Sequence, residues 1–398
     1  MKTEELFQWS ERYLAPTYRR APMVLVRGEG ARVWDSEGKA YYDFVSGIAV
    51  NNLGHCHPEV VEAIRKQAGQ LLHVSNLYHI EPQAHLGKLL VENSFADRAF
   101  FCNSGAEANE AAIKLARRYA YLHHGEGRAE ILAMEGSFHG RTMATLTATG
   151  QSKFWEGYAP LLPGLRHIPF GDLAAAEAAL SPQTCAILVE PIQGEGGVKI
   201  PPPDYLPGLR RLCDRHGLLL IYDEVQTGMG RTGTLFAYED FQAPPDIMTL
   251  AKALAGGVPI GAMLAREEVM QAFTPGSHAS TFGGNPLASA AAVAAVQVLL
   301  RGELLENCRK VGRYLMGQLE ELKGHYTLVK EVRGKGLMIG MELEIPGAPI
   351  VDACRERGFL INCTVDRVIR LVPPLVITER EVDQLIAALD EIFGSAQS

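Results

Sequence analysis

The chain runs to 398 residues, 47% apolar and 21% charged, with a formal net charge of −8; that length predicts two domains sharing an interface rather than one ordinary core. The acidic balance argues against nucleic acid, whose binding surfaces are basic, and no run approaches the roughly 18 apolar residues of a membrane helix, so small-molecule partners are expected. Met1-Lys2-Thr3-Glu4-Glu5-Leu6-Phe7 has no basic stretch leading into an apolar core, and the seven cysteines are scattered without a CxxC pair, which predicts reduced thiols in a cytoplasmic protein.

Residues 22–45 alternate as a hairpin on Val24, Val26, Val33 and Trp34, with turns at Gly28-Glu29-Gly30 and Ser36-Glu37-Gly38. From about residue 99 to 264, seven short apolar runs alternate with helical patterns, at 99–102, 131–134, 167–170, 186–189, 218–222, 247–251 and 260–264. This predicts an α/β fold with a mainly parallel seven-stranded sheet covered by helices on both faces. The last run follows Gly256-Gly257 too closely for a crossover helix, so it is expected to run antiparallel to its predecessor. After about residue 289 an alanine-rich helix leads into an α+β tail, with strands at 336–341 and 368–372 and a final helix from Thr378. Segments 1–58 and 289–398 are therefore expected to join as a small domain around a large central domain, 59–288.

Two of the runs end in groups that belong together. Asp223 follows the run 218–222, and Lys252 follows 247–251. Both are predicted at the C-terminal edge of the sheet, where ligands of open α/β folds bind. A lysine in such a place can have a lowered pKa and form a Schiff base, then act as general base and acid. A carboxylate beside it can hold a protonated pyridine nitrogen. Pyridoxal 5'-phosphate needs both. A structural salt bridge is an equal reading of Asp223 taken alone, and most lysines are solvated surface charges.

Asn103-Ser104-Gly105-Ala106-Glu107-Ala108-Asn109-Glu110 opens a helix to about His123. Free N–H groups and the positive dipole end suit a phosphate there, although an ordinary helix capped by Ser104 or Asn103 has the same pattern. Gln226 is spaced to reach a ring oxygen, or is a surface amide. In Gly136-Ser137-Phe138-His139-Gly140-Arg141-Thr142, Phe138 could stack on a ring and Arg141 could bind a carboxylate through two hydrogen bonds; each has a bland alternative as core aromatic or surface ion pair. Glu190-Pro191-Ile192-Gln193-Gly194-Glu195-Gly196-Gly197 puts further acids at a strand edge. His55, His57, His123 and His124 lack a second ligand group at metal spacing, so no metal is expected.

With these residues in place, the chain resembles the class III, or ω-amino acid, branch of the fold-type-I pyridoxal-phosphate aminotransferases. The resemblance extends from Gly47 to Leu375 and rests on five ordered segments: 103–108, 137–142, 190–195, 223–228 and 251–257. It implies Lys252 as the Schiff-base lysine, Gly105 and Ala106 as backbone phosphate ligands, Phe138 and Val225 on the two ring faces, Asp223 on the ring nitrogen and Gln226 on the ring hydroxyl. It also implies a homodimer with active sites at the interface, Thr281 of one subunit closing on the phosphate held by the other, and Ser280 near the substrate. Ala106 departs from a threonine common in the branch, which keeps the backbone contact but removes a hydroxyl.

Thr17-Tyr18-Arg19-Arg20 resembles the tyrosine segment of ornithine-type members. That implies Tyr18 and Arg141 on the α-carboxylate of an amino donor, N-acetyl-L-ornithine first. 2-Oxoglutarate would be the acceptor, with Arg370 on its α-carboxylate and Glu195 pairing with Arg370 while the donor is bound. Succinylornithine, N-succinyldiaminopimelate, ornithine and 4-aminobutyrate are the alternative donors, and an aminomutase is the alternative from another class.

Overall fold

The computed structural model describes residues 3–397; Met1 and Lys2, part of the N-terminal stretch read above for a leader, lie outside them. The seven expected runs all form strands: β4 (Arg98–Cys102), β5 (Glu130–Met134), β6 (Leu165–Ile168), β7 (Thr184–Val189), β8 (Leu219–Asp223), β9 (Ile247–Leu250) and β10 (Gly261–Ala265), after the N-terminal β1 (Leu25–Glu29), β2 (Arg32–Asp35) and β3 (Ala40–Asp43). β4 to β10 make one sheet in the order β4-β10-β9-β8-β7-β5-β6. Every residue of β5, β7, β8, β9 and β10 is buried. Continuous apolar runs arise because helices cover both faces, leaving no polar side to alternate with.

β6, β5, β7, β8 and β9 run parallel, while β10 is antiparallel to both β9 and β4. The short connection between β9 and β10 holds only a single turn, Lys252–Ala255, too little chain to cross the sheet. β4, β5, β7, β8 and β9 consequently end at one edge, and the five segments that carry the resemblance all leave from it. The topology alone collects them.

The hairpin expected at 22–45 is a three-stranded meander, because Ser36-Glu37-Gly38 turns the chain into β3. A strand from the far end of the chain, β13 (Phe359–Leu360), pairs with β3 and so joins the two ends. A third sheet has the order β11-β12-β15-β14, from β11 (Val329–Lys335), β12 (Met338–Leu343), β14 (Asn362–Thr364) and β15 (Val368–Leu371). β11 escapes an apolar-run reading because its charged side chains pair across the strands: Lys330 and Arg333 each reach Glu342 at 2.7 Å. The alanine-rich helix spans Pro286–Leu300 and the last helix Glu379–Gln397.

Three stretches distant along the chain meet at Arg231, which is fully buried and has no carboxylate partner among the described residues. Its guanidinium donates to the Leu337 carbonyl at 2.9 Å, to the Pro373 carbonyl at 2.6 Å and to Asn52 Oδ1. Burial lowers its pKa to about 10. Arg231→Met would strand three acceptors away from water, at about 3 kcal/mol or more. A lower urea midpoint with unchanged slope is expected, and an unaltered midpoint would show that the arginine does not hold the stretches together.

Candidate active site

A cavity of about 440 Å³ opens at the C-terminal sheet edge, and Lys252, Asp223, Gly105, Ala106, Phe138, Arg141, Glu195, Val225 and Gln226 all line it. Lys252 ends the β9 run in a left-handed conformation, φ 45°. Lysine pays for that backbone region, and strain of this kind collects where a side chain must be aimed. Its amine makes no hydrogen bond or ion pair with any described residue. Burial holds the Lys252 pKa below its ordinary value, with Glu195 opposing the shift and Arg370 adding to it.

The helix Gly105–His124 points its N-terminus into the cavity, capped by Ser104, whose hydroxyl accepts from the Glu107 N–H. Gly105 and Ala106 have no helical carbonyl behind them, so their N–H groups are available to an anion. A Cβ on Gly105 would meet the Val225 side chain at 2.8 Å. Only glycine lets the strand-end loop press against the helix start here.

Asp223 is held on three sides. Oδ2 accepts from Asn109 Nδ2 at 2.7 Å and faces His139 Nδ1 at 2.8 Å; Oδ1 accepts from the Val225 N–H at 3.0 Å. Behind it, Glu190 accepts from the N–H groups of Phe138 (3.1 Å) and Gly194 (3.2 Å). Burial pushes the Glu190 carboxyl up to about 7, opposed by His139 and assisted by Asp223.

At the other side of the cavity, Glu195 is paired with Arg370, a fully buried side chain of β15. Gln226 lies between them: its amide donates to Glu195 at 3.4 Å and its oxygen accepts from Arg370 at 3.3 Å. Asn362 accepts from the far nitrogen of the guanidinium at 2.9 Å. Burial works to raise the Glu195 carboxyl, but Arg370 and Lys252 outweigh it and hold it below the usual range. Arg141 is exposed at the mouth and has no ion pair among the described residues; its guanidinium stacks 3.8 Å from the centre of the Phe154 ring and 5.3 Å from that of Phe138.

Three expected residues stand apart. Tyr18 is 73% exposed and lines a separate recess with Leu6, Phe7, Leu14 and Arg20, so one chain does not bring it to Arg141. Ser280 is off the cavity wall, its hydroxyl 3.3 Å from the amide of Asn103. Thr281 is exposed, next to the exposed Phe282.

A family model described as aminotransferase class-III matches residues 13–393. The chain belongs to the class-III aminotransferases. This aminotransferase is 52% identical over 395 residues to an acetylornithine aminotransferase of Methanocaldococcus jannaschii, with 99% of each chain covered. Among solved structures, an ornithine aminotransferase from Toxoplasma gondii with partial occupancy of PLP at its active site superposes with a TM-score of 0.96 at 37% identity, covering 100% of this chain and 95% of that one. An acetylornithine aminotransferase from Elizabethkingia anophelis gives 0.90 at 37% identity, covering 99% and 100%.

The aminotransferase is a pyridoxal 5'-phosphate enzyme of fold type I. Its cavity suits that group: an unpaired amine, an anchored carboxylate with acceptor capacity to spare, and a helix N-terminus whose glycine admits no side chain. Asn109, His139 and Glu190 carry no assigned role by sequence alone, yet they surround Asp223. Asn109 carries a signal that could have found it. It is the one polar residue among the buried Ala108, Ala111, Ala112, Ile113, Leu115, Ala116 and Ala120 of its helix.

Proposed function

We propose that the chain transfers the δ-amino group of N-acetyl-L-ornithine to 2-oxoglutarate in arginine biosynthesis, giving N-acetylglutamate 5-semialdehyde and glutamate by a ping-pong reaction. The observation that carries the donor is the 52% identity over almost the whole chain with a protein of that name. In this reading Lys252 anchors the cofactor, Gly105 and Ala106 hold its phosphate through their N–H groups, Asp223 takes the ring N–H, Gln226 the ring hydroxyl, and Phe138 and Val225 flank the ring.

When bound, pyridoxal phosphate supplies an aldehyde for condensation with amines and a ring that takes up electrons from the reacting carbon. The chain does the rest. Lys252, whose pKa burial lowers, would carry the proton from the substrate carbon to the cofactor carbon. Arg141, with no protein carboxylate to satisfy, receives the donor's α-carboxylate. The Glu195–Arg370 pair leaves that end of the pocket without net charge for the donor; when Glu195 turns away, Arg370 is free for the α-carboxylate of 2-oxoglutarate. One pocket thereby serves two substrates of different charge.

The reading includes a homodimer in a cytoplasmic setting. The helix Thr3–Tyr13 buries none of its residues, and Trp9, Leu72, Leu77, Tyr78 and Phe282 are exposed, more apolar surface than a lone subunit needs. In the dimer the partner subunit's Thr281 closes on the phosphate, Ser280 approaches the substrate and Tyr18 joins Arg141. All seven cysteines are free thiols. The division at 1–58, 59–288 and 289–398 belongs to the same reading, supported by the pairing of β13 with β3.

Single-turnover mixing of the holoenzyme with N-acetylornithine, succinylornithine, ornithine and 4-aminobutyrate tests the donor, read from the visible absorbance of the bound cofactor. N-Acetylornithine is expected to react fastest. Ornithine is the second reading, favoured by the 0.96 superposition on an ornithine aminotransferase, and its faster reaction would replace the first. A monomer mass in sedimentation of the same preparation would remove the shared site.

A further inference from the structure

We propose that Asn109 is a positioning residue that aims the one free acceptor of Asp223 into the cavity, and that Thr249 fixes Asn109 in that orientation. The inference rests on the reading of Asp223 as the partner of the ring nitrogen and adds the device that orients it. Asn109, Thr249, His139 and Asp223 are all buried. Thr249 Oγ1 donates to Asn109 Oδ1 at 2.7 Å, while Asn109 Nδ2 donates to the His139 carbonyl at 2.8 Å and to Asp223 Oδ2 at 2.7 Å. Each amide proton has its own acceptor. A flipped amide would set its oxygen against a carboxylate and a carbonyl, so the orientation is single-valued.

The lone pairs of Asp223 can then be counted. A carboxylate offers only acceptors, so His139 Nδ1 carries its hydrogen and donates to Oδ2. Oδ2 receives two donors and is saturated. Oδ1 receives the Val225 N–H alone and keeps one lone pair for the cavity. Without Asn109, Oδ2 regains acceptor capacity and the carboxylate is held only by His139 and the Val225 N–H, so the acceptor at the ring position is less firmly fixed.

Asn109 also ties separate parts of the site to one carboxamide. It sits on the first turns of the helix whose N-terminus meets the phosphate, Thr249 is on β9 three residues before Lys252, and His139 follows Phe138. An aspartate at 109 would repel Asp223, and leucine would fill the space without donating. His139, Glu190 and Lys252 are charged or titratable groups that act on Asp223, and Asn109 is the neutral side chain that donates to it beside the Val225 N–H.

The test uses holoenzyme reconstituted with pyridoxal phosphate labelled with 15N in the ring, whose chemical shift reports protonation of that nitrogen across pH 6–9. The wild-type nitrogen is expected to stay protonated throughout. In Asn109→Leu its titration should move down into this window by at least about one pH unit, with kcat at least about tenfold lower and donor KM changed less than about threefold. Thr249→Val, which removes one hydroxyl at constant shape, should move both in the same direction by less, and decides the matter if the leucine variant does not fold. A purely structural asparagine would lower stability and leave the 15N titration in place, which would overturn the proposal. Asp223→Ala is the control. If it too leaves the ring nitrogen protonated, the reading of Asp223 fails; if only it deprotonates the ring, that reading stands and the role of Asn109 falls.

Discussion

Lys252→Ala is expected to lower turnover at least about 10³-fold, the scale of losing a positioned proton-transfer group that is also the covalent anchor. Asp223, Gln226 and the Gly105–Ala106 helix start are untouched, so the variant should still bind cofactor, without the covalent link. Near-normal turnover would remove Lys252 from the reaction. Stability should respond in the opposite sense. The folded-state pKa of Lys252 is lowered, first by burial, so below its ordinary value of 10.5 the unfolded chain binds more protons than the folded one. Stability therefore rises with pH from the folded-state pKa toward 10.5. The alanine variant of the cofactor-free protein should lack that rise and, near neutral pH, be at least as stable as the wild type. A site that is expensive to fold and necessary for chemistry is the expected trade.

The kind of contact each residue makes decides how much of the site is legible in the sequence. Lys252 and Asp223 could be placed because each ends an apolar run, and a run that crosses a covered sheet delivers the next residue to its edge. The antiparallel β10 was legible for a similarly local reason, a connection too short to cross. Asn109, His139 and Thr249 were not, because their partners lie 30 to 140 positions away and no spacing along the chain reports that separation. Arg231 hides in the same way, since its three acceptors come from Asn52, Leu337 and Pro373. β11 was missed because Val329 and Val332 are its only buried residues, while Lys330 and Arg333 between and beside them pair with Glu342 and interrupt any apolar run. Tyr18 and Thr281 belong to a different class: their assignment needs a second subunit, and within one chain they face solvent.

Arg370→Ala should separate the two half-reactions. Truncating one member of a buried, hydrogen-bonded ion pair costs about 2–5 kcal/mol, and the loss falls on whichever substrate uses that member. Arg370 is buried, fixed by Asn362 and shared between Glu195 and Gln226, so it has little freedom to serve any group except one that enters at Glu195. For 2-oxoglutarate, kcat/KM should fall about 10²–10³-fold. For the amino donor, whose carboxylate is assigned to Arg141 at the mouth, it should fall less than about tenfold. Removing the guanidinium also takes away the main force holding the Glu195 carboxyl low. Burial then dominates and the carboxyl should rise, so the donor half-reaction should gain a pH dependence that the wild type lacks at the same pH. Equal losses in both half-reactions would mean that Arg370 supports the pocket without recognising the acceptor. Loss in the acceptor half alone, with the new pH dependence in the other, would show that one ion pair sets the charge of the pocket for each substrate in turn.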